Sequence, residues 1–351
     1  MTPRLFVLIS LAFVAAIGFA FGVRRRPPMV EMRMITVPVG RFLIDIPEEA
    51  TISWGRQGYE EPGSFIQTFE APTPNLVKEA MEYDAKKYRK PHIDGGSQLE
   101  SIVDGHIPNC WFMFFWDSEL VKDNYIEVKG YFWKGGQGFV FRNNAVFTPQ
   151  GMRERADLLE RYFLMVQMRS PQEIPTEPGF CFKNAYFQGG PKPDPTENIA
   201  MHVNLPSHPD VCVRFCTDVE YSASQTNPKL LDRTALTLAE DAVNRLSGIR
   251  RLRARDRTVG PYHGQELLER IREYNGTVGY SFMWECLGRP KSATHPNLML
   301  EMMTGYGEPP VASSLNRKEA MALWDAMVDS IRYRIPEPPP PAMSPPKAPT
   351  P

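Results

Sequence analysis

The stretches GRFLIDIP at residues 40–47 and GFCFKNAYF at residues 179–187 decide the fold, because each opens one half of the chain with a strand signal. Each half also ends in a pattern typical of a helix, from Gln150 to Arg169 in the first half and from Arg317 to Arg334 in the second. A proline follows each of these segments closely and would stop the helix. The two halves therefore begin and end with the same kinds of element.

The segments between these ends follow the same order in both halves. An early helix, predicted over residues 74–89 in the first half and 229–247 in the second, precedes several strands. The strand patterns lie at residues 110–116, 125–133 and 138–142 in the first half, and at residues 264–271, 279–286 and 297–303 in the second. Their alternation of apolar and polar residues is typical of half-buried antiparallel strands.

These patterns predict an α+β fold with two similar lobes that arise from an internal repeat. Each lobe would be an antiparallel sheet with flanking helices, and the two lobes would form a clamp-like cleft. The proline-containing segment 170–179 marks the boundary, which gives an N-terminal α+β domain at residues 27–172 and a C-terminal α+β domain at residues 173–335. The length of 351 residues suits two domains of this size.

Residues 1–26 predict a membrane anchor or a signal segment. Leu5–Val23 contains no charged residue, and as a helix it is long enough to cross a hydrocarbon core of about 30 Å. The three arginines at residues 24–26 disfavour cleavage, which favours an uncleaved inner-membrane anchor over a cleaved signal peptide. The orientation stays open, because these arginines favour a cytoplasmic body whereas an exported protein needs the opposite.

Composition limits the partners of the chain. The 40 lysines and arginines nearly balance the 41 aspartates and glutamates, so no excess of positive charge points to nucleic acid. Residues 336–351 are mostly proline, which predicts an extended, disordered tail without a core. This tail is either passive, which is the favoured interpretation, or a docking segment for a partner that reads proline-rich sequences.

The cysteines lie at residues 110, 181, 212, 216 and 286. This odd and sparse set is not typical of a disulfide framework. In an oxidising compartment one bridge could form, between Cys181 and either Cys212 or Cys286. The alternative is that the thiols are free and buried.

A zinc site is a candidate because His208, Cys212 and Cys216 are close in sequence. The residues around the two cysteines alternate as in a strand, and four residues along a strand span roughly 13 Å. Two ligands of one zinc ion cannot lie that far apart. The sequence therefore predicts neither a metal nor a cofactor.

A catalytic site is not predicted either. The sequence lacks a P-loop, a dinucleotide-binding fingerprint and a complete G-x-S-x-G nucleophile elbow around Ser281. The alternative that stays open is an envelope hydrolase that uses His263, Glu266 and Ser281. Without such motifs, a binding protein with no small-molecule substrate is favoured.

The run RRLRARDR at residues 250–257 supplies the candidate partner-binding residues. If this run is a strand, then Arg251, Arg253, Arg255 and Arg257 lie on one face. A solvated strand edge that deters aggregation is the default interpretation. The functional alternative is a docking stripe for an acidic partner or for lipid head groups.

The chain resembles the type VI secretion lipase-immunity family, the immunity proteins cognate to the fourth group of phospholipase effectors. The resemblance extends over about residues 36–335. It is carried by VGRFLIDIP at 39–47, GFC at 179–181, GY at 279–280, WE at 284–285, TG at 304–305, LWD at 323–325 and SIR at 330–332. These motifs are typical of the fold, and none of them is a catalytic signature.

The resemblance implies an exported or envelope-anchored bacterial protein that is not an enzyme. Such a protein would bind a phospholipase toxin in the periplasm and neutralise it, by occluding or locking its active site. Many relatives are lipoproteins, whereas this chain has no cysteine before Cys110, so Leu5–Val23 would replace the lipid anchor. The rival hypotheses are the envelope hydrolase and a scaffold subunit of an envelope complex.

Overall fold

The computed structural model describes residues 32–59, 65–89, 96–118, 125–192, 195–219, 228–235 and 248–334. The helices are α1 (Pro74–Tyr88), α2 (Pro149–Leu164), α3 (Leu230–Ala235) and α4 (Arg317–Asp329). The strands of the first half are β1 (Met34–Val39), β2 (Phe42–Pro47), β3 (Thr51–Gly58), β4 (Phe65–Glu70), β5 (Gly96–Asp104), β6 (Cys110–Ser118), β7 (Tyr125–Lys134), β8 (Gln137–Val146) and β9 (Val166–Met168). Those of the second half are β10 (Gly179–Phe182), β11 (Ala185–Gln188), β12 (Asn198–Leu205), β13 (His208–Asp218), β14 (Ile249–Val259), β15 (Tyr262–Arg272), β16 (Val278–Cys286), β17 (Asn297–Thr304) and β18 (Arg332–Tyr333).

A five-stranded antiparallel sheet with the order β4-β8-β7-β6-β5 lies between α1 and α2. Alternate residues of β6 belong to different apolar clusters. Phe112 and Phe114 pack in the cluster that includes α2, whereas Met113 and Phe115 pack in the cluster that includes α1. Because helices cover both faces of this sheet, the sequence of β6 is a nearly continuous apolar run.

A seven-stranded antiparallel sheet has the order β14-β15-β16-β17-β13-β12-β3. Its last strand, β3, comes from the first half of the chain and pairs with β12 of the second half. The helix α4 packs against β16 and β17, where the ring of Trp324 lies 5.8 Å from that of Phe282. The first half of the chain thus completes the main sheet of the second half.

Two three-stranded sheets also join the halves, with the orders β1-β2-β18 and β10-β11-β9. Gly40, in the turn between β1 and β2, has a φ of +58° and exchanges two backbone hydrogen bonds of 2.8 Å with Cys181. A Cβ atom at this position would lie 3.1 Å from Ile199 and 3.2 Å from Phe180. The backbone conformation and the close approach both favour glycine at the start of the stretch that decides the fold.

The larger of the two apolar clusters contains buried side chains from both halves, whereas the smaller cluster lies under α1. Tyr59 from the first half stacks on Phe187 from the second, with ring centroids 4.0 Å apart. Phe141 and Phe139 of β8 also meet Phe187 and Phe182, at 5.9 Å and 6.3 Å. The two halves therefore share a core as well as sheets.

The prediction of an α+β fold is confirmed, with mostly antiparallel sheets and few helices. The predicted helix ends are wrong: α2 ends at Leu164 and α4 at Asp329, because the following residues enter β9 and β18. The described part of the helix predicted at 229–247 is α3. The internal repeat, the clamp-like cleft and the division at residue 172 stay predictions.

The predicted anchor Leu5–Val23 and the proline-rich residues 336–351 lie outside the described residues. Within the part of the chain that the structure describes, no helix combines the length and the apolar character needed to cross a membrane.

Candidate partner-binding surfaces

The strand β14, which carries the candidate arginines, forms one edge of the seven-stranded sheet. A register shift between Arg251 and Arg253 places Arg251 opposite Glu269, whereas Arg255 lies opposite Glu266. Positions 266 and 269 of a regular strand point to opposite faces of the sheet. The expectation that all four arginines share one face is therefore wrong at Arg251, because the bulge turns it away from the other three.

Glu266 on β15 is the centre of the arginine cluster, and its side chain is completely buried. Its Oε1 atom lies 2.6 Å from Nε of Arg255 and 2.9 Å from Nε of Arg253. Its Oε2 atom accepts hydrogen bonds of 2.8 Å from Arg257 and 3.2 Å from Nε1 of Trp324. Burial alone would raise the pKa of Glu266, but the hydrogen bonds from Arg257 and Arg255 lower it. The carboxylate is therefore held ionised inside the fold.

Two carboxylates of α4 complete the cluster. Asp325 lies 2.6 Å from Nη2 of Arg253 and 2.8 Å from Nη1 of Arg257. Asp329, one helical turn later, lies 2.7 Å from Nη2 of Arg257. Burial alone would lower the pKa of Arg257, but hydrogen bonds to Asp329, Glu266 and Asp325 raise it. The cluster thus ties the edge strand β14 to α4.

This pairing changes what the arginines can offer to a partner. The side chain of Arg257 is 7% exposed and that of Arg253 is 20% exposed, and both are held by internal carboxylates. Arg255 is 54% exposed, which makes it the most accessible of the three arginines on Glu266. A docking role for Arg251, Arg253, Arg255 and Arg257 stays a prediction, and Arg255 is the member best placed for it.

The three residues of the hydrolase hypothesis do not come together. Glu266 is buried under α4, on the face of the sheet opposite to His263. Ser281 of β16 lies opposite Glu269 of β15. Glu269 is six residues along β15 from His263, so Ser281 is about 20 Å away from His263. His263 instead contacts the hydroxyl of Thr258 at 3.1 Å. These side chains therefore form no catalytic group.

The cysteines occupy strand positions without forming a bridge. The strand predicted around Cys212 and Cys216 is confirmed as β13, and all five thiols are free. Burial raises the pKa of Cys216 and Cys286 to about 11, so these thiols stay protonated at neutral pH. Among the described residues, no group of three or more His, Cys, Asp or Glu side chains could hold a metal ion.

An apolar pocket of about 590 Å³ lies beside α2, and no motif in the sequence predicted it. Phe112 and Phe114 of β6 line it together with Val103 of β5 and Phe147, which lies two residues before α2. Its charged lining residues are Glu100, Asp104, His106, Arg153 and Asp157. The run of apolar residues in β6 was the available signal, but it does not show that Val103 and Phe147 stay exposed beside it.

The chain is similar to immunity proteins in sequence and in structure. A family model described as the Tle cognate immunity protein 4 C-terminal domain matches residues 173–336. The apo structure of the immunity protein TplEi of the type VI secretion system from Pseudomonas aeruginosa is 26% identical with a TM-score of 0.69, covering 87% of this chain and 99% of that one. A chain in the crystal structure of the Tle4-Tli4 complex is 27% identical with a TM-score of 0.69, covering 86% and 97%. TplEi complexed with an "L" peptide is 26% identical with a TM-score of 0.65, covering 86% and 98%. A search of the curated proteins finds no match.

Proposed function

Because residues 173–336 match the family model of the Tle cognate immunity protein 4 C-terminal domain, we propose that this chain neutralises a cognate type VI secretion phospholipase effector in the periplasm. The proteins of similar structure are immunity proteins and not enzymes, and this chain is not an enzyme. The observation that carries the proposal is the similarity over most of both chains to a protein solved in the Tle4-Tli4 complex.

Neutralisation by this chain would need binding and no chemistry. An inhibitory complex of standard size buries about 1,600 Å² in total, which is enough to occlude an active site or to lock a mobile lid over it. The shared core supports such a role, because a rigid binder loses little conformational entropy when the complex forms. The solved complex of TplEi with an "L" peptide also supports recognition of a polypeptide segment by a protein of this fold.

The test uses the tagged full chain, expressed in the cells from which it comes. We expect a phospholipase to co-purify at near-equal amounts, and its hydrolysis of phospholipid vesicles to fall to background when the purified chain is added in equimolar amount. An unrelated phospholipase A2 is the control, and its activity should not change, which excludes inhibition by coating of the lipid. If the co-purified phospholipase retains full activity at a stoichiometric excess, the proposal is wrong. Recovery of envelope proteins without a phospholipase would instead favour the scaffold hypothesis.

The compartment is part of the same proposal. Leu5–Val23 would anchor the chain in the inner membrane with its body in the periplasm, or would be removed as a signal segment. A protease added to cells with a permeabilised outer membrane should degrade the body, while a cytoplasmic marker stays intact. The mass of the N-terminal peptide then distinguishes an anchor from a cleaved signal. A body that resists the protease would place it in the cytoplasm.

A further inference from the structure

The apolar pocket beside α2 exists because this helix covers only part of the five-stranded sheet. α2 packs mainly against β7 and β8, whereas β5 lies at the far edge of the sheet. Val103 of β5 lies opposite Phe112 and therefore faces the side of α2, but it is 43% exposed. Phe147 is 36% exposed at the other wall. Apolar side chains thus stay accessible at a concave site.

Negative charge surrounds this apolar surface. Glu100 and Asp104 are exposed on β5, and Asp157 projects from α2. Among the described residues, no ion pair engages Glu100 or Asp104. Arg153 is the arginine in the lining, and His106 is held 3.4 Å from Asp157. The rim therefore carries three carboxylates and one arginine, which gives it a net negative charge.

The walls of the pocket are fixed by buried contacts. Glu160, which is 6% exposed, accepts a 2.6 Å hydrogen bond from the backbone N–H of His106. A Cβ atom at Gly105 would lie 2.5 Å from both Glu160 and Cys110, so the turn after β5 packs directly on α2. The ring of Phe147 packs edge-on against Trp116, with centroids 4.8 Å apart. A site held in this way needs little ordering when a ligand binds.

We propose that this pocket receives a segment of the effector in which an apolar side chain is flanked by lysine or arginine. The apolar side chain would pack between the exposed side chains of Val103 and Phe147. The flanking cation would meet Glu100, Asp104 and Asp157 at the rim. Long basic side chains suit this arrangement, because their methylene groups pack on apolar surface while the charge reaches the rim. The inference rests on the proposed function, since it names a contact of the same inhibitory complex.

The test compares two charge-reversal variants of the full chain that differ only in location. Glu100→Lys/Asp104→Lys changes the rim, and Glu79→Lys/Glu82→Lys makes the same change on exposed positions of α1, across the sheet. Binding of the co-purified phospholipase is measured by calorimetry at low and at physiological salt. We expect the rim variant to bind at least tenfold more weakly, with less salt dependence than the unmodified chain, and the α1 variant to bind within twofold of it.

A third variant, Val103→Gln, tests the apolar part of the site without a change of charge. It should weaken binding several-fold and leave the salt dependence unchanged. The inference is overturned if the rim variant and Val103→Gln both bind and inhibit as the unmodified chain does. It is also overturned if the rim variant changes only self-association in sedimentation, which would make the pocket an interface between copies of this chain. The proposed function itself fails only if the unmodified chain does not bind or inhibit the phospholipase.

Discussion

The buried carboxylate of Glu266 contacts three arginines of one edge strand, and this contact decides what the edge can do. Arg253, Arg255 and Arg257 would repel one another on a bare strand. Glu266 of β15 and the two carboxylates of α4, Asp325 and Asp329, balance these three positive charges at distances of 2.6 to 2.9 Å. The cluster therefore stabilises the junction of β14 and α4 whether or not a partner binds.

The first prediction concerns the substitution Glu266→Gln. It leaves the guanidinium groups of Arg255 and Arg257 around a buried neutral amide, so we expect the free energy of unfolding to fall by about 3 kcal/mol. Urea titration followed by tryptophan fluorescence measures the change. Glu82→Gln, at an exposed position of α1, is the control and should stay within about 0.5 kcal/mol of the unmodified chain. An equal effect of both substitutions would show that the cluster does not stabilise the fold.

The second prediction is a dependence of stability on pH. The pKa values of Glu266 and Asp325 are lowered in the fold from their ordinary values of 4.5 and 3.8. Below about pH 4.5 the unfolded chain binds protons that the folded chain does not, so stability falls as pH decreases through this range. Burial would raise the pKa of Asp84 and Asp210, but hydrogen bonds lower it. These two groups contribute the same pH dependence to the unmodified chain and to Glu266→Gln. Between pH 7 and pH 3 the free energy of unfolding should therefore decrease less for Glu266→Gln than for the unmodified chain. Equal decreases would contradict a contribution of Glu266 to this pH dependence.

At the level of elements, the sequence predicted strands better than helix ends. The alternation around Cys212 is a local pattern, and it predicted β13 correctly. The strand β9 has only three residues and forms because β11 pairs with it, which no local pattern after Leu164 reveals. The bulge at Arg251 likewise depends on the pairing of β14 with β15. The arginines could be found from sequence, but their carboxylate partners could not, because these come from a neighbouring strand and from the last helix.

The third prediction compares two helix N-caps that have the same residue type and are both followed by proline. The side chain of Thr148 accepts a hydrogen bond of 3.0 Å from the N–H of Gly151 at the start of α2, whereas Thr73 makes no such bond at the start of α1. We expect Thr148→Ala to lower the free energy of unfolding by about 1 kcal/mol and Thr73→Ala to lower it by much less. Denaturation of the two variants provides the comparison. Equal losses would show that the hydrogen bond does not determine the strength of the cap.

The fourth prediction concerns how the hairpin of β1 and β2 is held on the second half. Arg41 in its turn forms a buried ion pair with Glu197, at 2.5 Å and 2.7 Å. Burial alone would lower the pKa of Arg41, but the hydrogen bond and the charge of Glu197 raise it. Arg41→Met removes the guanidinium that balances the buried charge of Glu197, and it should lower the free energy of unfolding by about 4 kcal/mol.

The double substitution Arg41→Met/Glu197→Leu, compared with its two single substitutions, tests whether this loss comes from the unbalanced buried charge. Removal of both charges should recover a large part of the loss, and a double-mutant cycle measures the recovery. Simple addition of the two single effects would contradict the interpretation.

At the scale of the whole molecule, three sheets contain strands from both halves. The strand β3 pairs with β12, β18 pairs with β2, and β9 pairs with β11. Rings from the two halves also stack in one core, as Tyr59 does on Phe187. Both the pairing and the packing must break before either half can unfold alone. The halves should therefore depend on each other for stability, even though each was long enough to predict a separate domain.

The fifth prediction is that the full chain unfolds in a single cooperative transition. Phe163→Ala on α2 weakens the core under the five-stranded sheet, because the Phe163 ring stacks on Phe132 with centroids 4.5 Å apart. Leu323→Ala on α4 weakens the core under the seven-stranded sheet. Each truncation of a buried side chain should lower stability by about 3 kcal/mol. If the halves are one unit, both variants shift the same calorimetric transition to lower temperature, with a calorimetric enthalpy equal to the van't Hoff enthalpy. If the halves were independent, each variant would move one of two transitions and leave the other in place. A single cooperative unit would also support the proposed inhibition by binding, because a contact made by one half then stabilises the other.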